Sequence, residues 1–216
     1  MNRREFSQGA ACLLAATALG VPQFALAQRQ PAEGKDFRRL DKRAPTEAPA
    51  GKIEVVEFFW YSCPHCNAFE PKLVSWMKRQ PADVFVRRVP VAFREDFVPQ
   101  QRLFYTLEAM GKLDELHAKV FEAVHVKREA TANEATIVAF AERNGLDKVK
   151  FQEMYNSFGV ANKARRAAQL QDAYKVEGVP ALGVAGTYYL DGESAGNMDH
   201  ALQLVDYLVA EARKAK

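Results

Sequence analysis

Cysteine is scarce in this chain of 216 residues: there are three, Cys12, Cys63 and Cys66, beside only four histidines. So few soft ligands exclude a disulfide-stapled scaffold, and no second cysteine pair or histidine cluster could complete a four-ligand zinc site with Cys63 and Cys66. A covalently attached c-type haem would need a histidine directly after Cys66, where Asn67 stands. An excess of one charge is lacking too: 30 basic and 27 acidic residues give a net charge of +3, which makes no case for nucleic acid. The apolar stretch Gly9 to Val21 falls short of the roughly 20 residues that span a membrane. What is present is 48% hydrophobic and 26% charged residues, the composition of a soluble globular domain, alone or with a sizeable insertion.

The first residues are set aside before any fold is considered. Arg3 and Arg4 give a basic start, Gly9 to Val21 is an uncharged apolar segment, and Ala25-Leu26-Ala27 has the small residues of a cleavage site. Residues 1–27 are therefore expected to be a signal peptide, cleaved after Ala27. Asn2-Arg3-Arg4-Glu5-Phe6 resembles a twin-arginine signal, but paired arginines are also common in ordinary leaders, so the general secretory route is the expectation. Cleavage takes away two basic residues, one acidic residue and Cys12, leaving a net charge of +2 and two cysteines, which then meet an oxidising compartment. With two residues between them, these cysteines close too short a loop to staple a fold, so their purpose is chemical.

Ile53 to Tyr61 is apolar and β-favouring on both faces, as in a central strand, with Val55, Glu57 and Phe59 on one side and Val56, Phe58 and Trp60 on the other. Before it, Phe37 to Leu40 allows a short edge strand. A helix is expected from Pro64 to about Arg79, kinked at Pro71, then a second strand from Val84 to Phe93 ending near Pro90. Helical spacing follows at Gln101–Met110 and Leu113–Val124, then after Thr131-Ala132-Asn133-Glu134, which has the form of a capping box, then after Asp147 and at Val160–Tyr174. Gly178-Val179-Pro180 breaks the pattern, Ala181 to Leu190 returns as a strand turning near Gly186, and Met198 to Lys214 closes as an amphipathic helix. The order is an α/β, thioredoxin-like fold with a helical insertion domain: residues 28–93 and 177–216 form the two parts of the thioredoxin-like domain, and 94–176 the insertion.

Cys63-Pro64-His65-Cys66 sits where the first long strand gives way to a helix. Unpaired N–H groups and the helix dipole favour negative charge there, so Cys63 is the expected nucleophile and Cys66, one turn in and more buried, the resolving thiol. Pro64 stiffens the turn, and His65 can place positive charge or a donor near the Cys63 sulfur. Stabilising the thiolate stabilises the reduced form, which makes the disulfide an oxidant. Glu57, a carboxylate between Val55 and Phe59, is expected to be buried with a raised pKa unless paired. No metal or cofactor is expected.

Glu57-Phe58-Phe59, Cys63-Pro64-His65-Cys66, Phe69-Glu70 and Gly178-Val179-Pro180-Ala181 together resemble the bacterial periplasmic thiol:disulfide oxidoreductases of the DsbA family. The resemblance implies oxidation of newly exported, unfolded polypeptides with free cysteines, and reoxidation by a quinone-linked membrane partner of the DsbB type. It implies a cis Val179-Pro180 bond beside the cysteines, substrate binding along Val179 and Pro180, Glu57 as a buried acid below the site and Glu70 as a charged neighbour. A periplasmic monomer is expected. Asn67 and Ala181-Leu182-Gly183 depart from the family pattern at positions expected to border the contact surface. An isomerase or reductant on the same fold, and a non-enzymatic peptide-binding or chaperone module, stay open as alternatives. His117, His125 and His200 are expected to be structural or exposed, and Trp60 and Trp76 to be packing residues.

Overall fold

The structure, a computed structural model, describes residues 30–215; the expected signal peptide, residues 1–27 with Cys12, lies outside them. Five strands form one sheet in the order β1-β5-β4-β2-β3, where β1 is Arg38–Arg39, β2 Ile53–Phe59, β3 Val84–Pro90, β4 Ala181–Val184 and β5 Tyr188–Asp191. β2 runs parallel to β3, pairing Glu57 with Arg88, and antiparallel to β4, pairing Phe58 with Ala181. All seven residues of β2 are buried, as its unbroken apolar pattern demands of a strand covered on both faces.

Alternation along β2 sorts its side chains into two cores. Ile53 and Val55 pack with Phe69, Leu73 and Trp76 of α1 (Pro64–Met77) and with Leu204, Val205 and Leu208 of α7 (Met198–Lys214). Val56 and Phe58 face the helical segment between β3 and β4 and share its core. That segment holds α2 (Val98–Ala109), α3 (Leu113–His125), α4 (Glu134–Arg143), α5 (Lys148–Tyr155) and α6 (Phe158–Tyr174). Among the described residues no helix is long and apolar enough to cross a membrane.

Several boundaries differ from expectation for local reasons. α2 starts at Val98 rather than Gln101, since Pro99 lies in a first turn where its missing N–H costs nothing. α6 starts two residues early because the Ser157 hydroxyl accepts the N–H of Val160 at 3.3 Å. The capping box of α4 is not Thr131 to Glu134: Asn133 Oδ1 accepts the N–H of Thr136 at 3.1 Å, while the buried Thr131 hydroxyl accepts Gln100 Nε2 at 2.7 Å. α1 runs on through Pro71, which only withdraws the donor that the Asn67 carbonyl would have used.

The β4–β5 hairpin turns through Ala185 (φ 54°) and Gly186 (φ 68°), and Thr187 N–H returns to the Val184 carbonyl at 2.9 Å. These positive angles match the right-handed twist of the strands. A Cβ on Gly186 would stand 2.5 Å from the Ala44 carbonyl oxygen. In β4, Gly183 lies beneath the Tyr174 ring, where a Cβ would meet ring carbons at 2.3 and 2.7 Å. Gly183→Ala should therefore overpack this seam between sheet and α6 and cost about 1–3 kcal/mol, read as a lower urea midpoint at unchanged slope.

Candidate active site

β2 ends at Phe59, and the chain turns through Trp60, Tyr61 and Ser62 into α1. The Cys63 N–H closes the turn on the Trp60 carbonyl at 3.0 Å, and Trp60 is held by stacking on Phe97, centroids 3.9 Å apart. Cys63 is the N-cap of α1, extended at φ −80° and ψ 118°, with Pro64 in the first turn. Its sulfur thus faces helix donors that have no partner inside the helix. The Cys66 N–H approaches it at 3.4 Å.

Both cysteines are free thiols, and they differ sharply. Cys63 shows 8% of its surface and Cys66 none. The Cys63 thiol is pulled down to about 6, first by the Cys66 thiol hydrogen bond, then by the N–H groups of Cys66 and His65 and by the charge of His65, against a smaller opposing effect of burial. The Cys66 thiol is pushed far up, chiefly by burial, then by the hydrogen bond it gives to Cys63 and the charge on that sulfur. Cys63 also lies 3.4 Å from the Val179 carbonyl, to which only the protonated thiol can donate. The donors outnumber this acceptor, so the thiolate is favoured.

The Val179-Pro180 peptide is cis. It places half-buried Val179 opposite Cys63, across 116 residues of sequence. Pro64 and His65 are exposed on the rim. Ala181, Leu182 and Gly183, expected to border the contact surface, are instead buried in β4, which lies between β5 and β2, with Leu182 in the core of α1 and α7 and Gly183 beneath the Tyr174 ring.

Beneath the cysteines lies a line of charge. Glu57 Oε2 accepts Arg88 Nε at 3.2 Å, and the same guanidinium gives Nη2 to Glu70 Oε1 at 2.7 Å. Glu57 is 1% exposed and Glu70 8%. Glu57 is buried with a raised pKa, as expected, and it is so even though paired: burial raises it from 4.5 to about 8, since one arginine must serve two carboxyls. Glu70 is lowered by His117 and Arg88, which outweigh its burial. His117 was not among the residues singled out for chemistry; nothing in its spacing distinguishes it, yet it packs 5% exposed with Nε2 3.5 Å from Glu70 Oε2. Among the described residues no group of three His, Cys, Asp or Glu side chains is arranged to hold a metal ion.

Residues 87–203 match the family described as DSBA-like thioredoxin domain. The thiol:disulfide interchange protein DsbA of Pseudomonas aeruginosa is 42% identical over 182 residues, covering 84% of this chain and 86% of its own. The chain belongs to the DsbA family. The protein of the same name from Burkholderia cepacia is 39% identical over 86% of this chain and 88% of its own. The crystal structure of Pseudomonas aeruginosa DsbA superposes with a TM-score of 0.81 at 42% identity, covering 86% of this chain and 96% of that one. The Xylella fastidiosa oxidoreductase DsbA gives 0.79 at 31% identity, covering 85% and 98%. The protein is a thiol:disulfide oxidoreductase on the thioredoxin-like DsbA fold.

Glu57 has a consequence for stability. Its folded value lies above the ordinary 4.5, so the protonated form favours the fold, and this contribution, full below pH 4.5, is lost as pH rises through about 8. One proton accounts for at most about 1.4 kcal/mol per pH unit. Glu57→Gln should flatten stability against pH by up to that slope across this window, measured by urea unfolding at a series of pH values.

Proposed function

We propose that Cys63 and Cys66 form the redox-active disulfide of a periplasmic protein disulfide oxidase, with Cys63 as the atom that exchanges with substrate. The observation that carries this reading is the asymmetry of the pair: the Cys63 sulfur, nearer the surface, is held near 6, and the fully buried Cys66 sulfur is pushed far up. A substrate thiolate attacks Cys63, the Cys63–Cys66 bond breaks, and Cys66 leaves with the electron pair and takes up a proton. A second substrate thiolate then attacks the substrate sulfur, and Cys63 leaves as a thiolate. The substrate gains one disulfide and the enzyme becomes a dithiol.

Cys63 is a good leaving group because its thiolate is favoured, and this supports an oxidant rather than a reductant. Pro64 and His65 tune it from the rim, and Glu57 bears on Cys66 from below, where its charge helps raise the thiol. Val179 and Pro180 line the position opposite Cys63, where an extended segment around the substrate cysteine is held through backbone contacts. The substrates are unfolded exported polypeptides with free cysteines. A quinone-linked membrane protein of the DsbB type restores the disulfide, and the chain is exported with its signal peptide cleaved near Ala27. This rests on the family and on the leader read in the sequence.

Three outcomes are expected. Cys63→Ser abolishes oxidation of a reduced dithiol peptide while the fold persists. In Cys66→Ser the Cys63 thiolate attacks glutathione disulfide, a glutathione thiolate leaves, and the mixed disulfide accumulates because no second thiol resolves it, seen by intact mass. Alkylation of the dithiol form by iodoacetamide rises with a midpoint near pH 6, not near the ordinary thiol value of 9.0. Turnover surviving Cys63→Ser would sink the reading.

A further inference from the structure

His117 and Tyr61 join the line of charge to the turn that carries Cys63. The Tyr61 hydroxyl and His117 Nδ1 are 2.8 Å apart, and Nε2 on the other side of the ring faces Glu70 Oε2 at 3.5 Å. Among the described residues neither Nε2 nor Oε2 has a hydrogen-bond partner, so these two buried polar atoms face each other as complement. An ionised Glu70 can only accept, which puts the imidazole proton on Nε2 and leaves Nδ1 to accept the Tyr61 O–H. Eight residues along α3, His125 Nε2 donates to the Tyr61 carbonyl at 2.8 Å. One helix of the segment between β3 and β4 therefore grips both the side chain and the backbone of the residue two before Cys63.

We propose that His117 is a positioning residue for disulfide exchange, one that holds Tyr61 on one ring nitrogen and Glu70 on the other and so keeps the Glu70–Arg88–Glu57 chain aligned beneath Cys66. The inference rests on the disulfide-exchange reading given above. The groups that face this chain are Cys63 from the N-cap of α1, Cys66 and Glu70 from α1, Glu57 from β2, Arg88 from β3, Tyr61 from the turn, and Asp114 with His117 from α3; from α2 the apolar ring of Phe104 packs on His117. Burial holds His117 below its ordinary value, which favours the neutral ring, a directed donor rather than a second cation. With His117 donating, Glu70 needs less of Arg88, and more of that guanidinium is left for Glu57. Removing the donor draws Arg88 toward Glu70 and leaves Glu57 less compensated.

The test is the pH profile, from about pH 5 to about pH 9, of the rate at which the oxidised protein oxidises a reduced dithiol peptide. In His117→Leu the midpoint set by Glu57 moves up by about one unit, the scale of a lost charge-assisted hydrogen bond. His117→Gln, whose amide nitrogen replaces Nε2, keeps most of the wild-type profile, and in a Glu70→Gln background His117→Leu moves nothing further. Tyr61→Phe keeps the packing and removes only the hydroxyl; it also moves the midpoint up and serves if His117→Leu does not fold. An unmoved or lowered midpoint in folded His117→Leu or Tyr61→Phe, a full shift in His117→Gln, or an undiminished shift without Glu70 overturns the assignment. Cys63→Ser separates the two readings: if it is inactive and the midpoint is unmoved, only the role of His117 falls.

Discussion

The unpaired N–H groups at the start of α1 face the sulfur of Cys63 while Cys66, three residues on, is sealed in the core, and the rest of the molecule serves that unequal placement. A thiolate at the N-cap gains donors that the helix cannot use itself. A thiolate at Cys66 would be buried without a cation of its own. The two positions differ by one helical turn, and that turn separates the more acidic thiol from the less acidic one.

Holding this geometry falls to three parts of the fold. β2 is an interior strand of the sheet, between β4 and β3, and delivers the turn, pinned by Trp60 on Phe97 and by Tyr61 against α3. The cis Val179-Pro180 peptide brings β4 up against Cys63 from the far end of the sequence. Below, Glu57, Arg88, Glu70 and His117 form a line of buried charge in which one guanidinium serves two carboxyls. Such a shared cation leaves a carboxyl that takes up a proton near neutral pH, beneath a thiol that must take up or release one during exchange. Buried charge of this kind is costly to keep, and here its place is next to the reacting pair.

Much of this was legible in the sequence. The continuous apolar run of β2 declared a strand covered on both faces, and the strand-to-helix junction identified Cys63 as the more acidic thiol; alternation set Glu57 and Phe59 on the face of Val55, but Phe59, at the strand's end, packs in the other core. Helix starts at Pro99 and Ser157 were missed because caps and prolines lie outside the apolar periodicity. The partner of Glu57 was not legible, since Arg88 meets it through strand pairing 31 residues away. His117 was invisible for a similar reason: a histidine in an amphipathic helix carries no sign of the glutamate it will face. Gly183 was misjudged as contact surface because sequence shows the small residue and not the tyrosine ring that requires it.

The most direct measurement is the stability of the dithiol form against that of the disulfide form, by urea unfolding at several pH values. The thiolate of Cys63 is depressed from 9.0 to about 6 in the fold, so its stabilisation of the dithiol is full above pH 9.0 and lost as pH falls through about 6. The account predicts a dithiol form more stable than the disulfide form at neutral pH, with the excess fading over that window. A disulfide form that is the more stable at neutral pH, or an excess indifferent to pH, would contradict it.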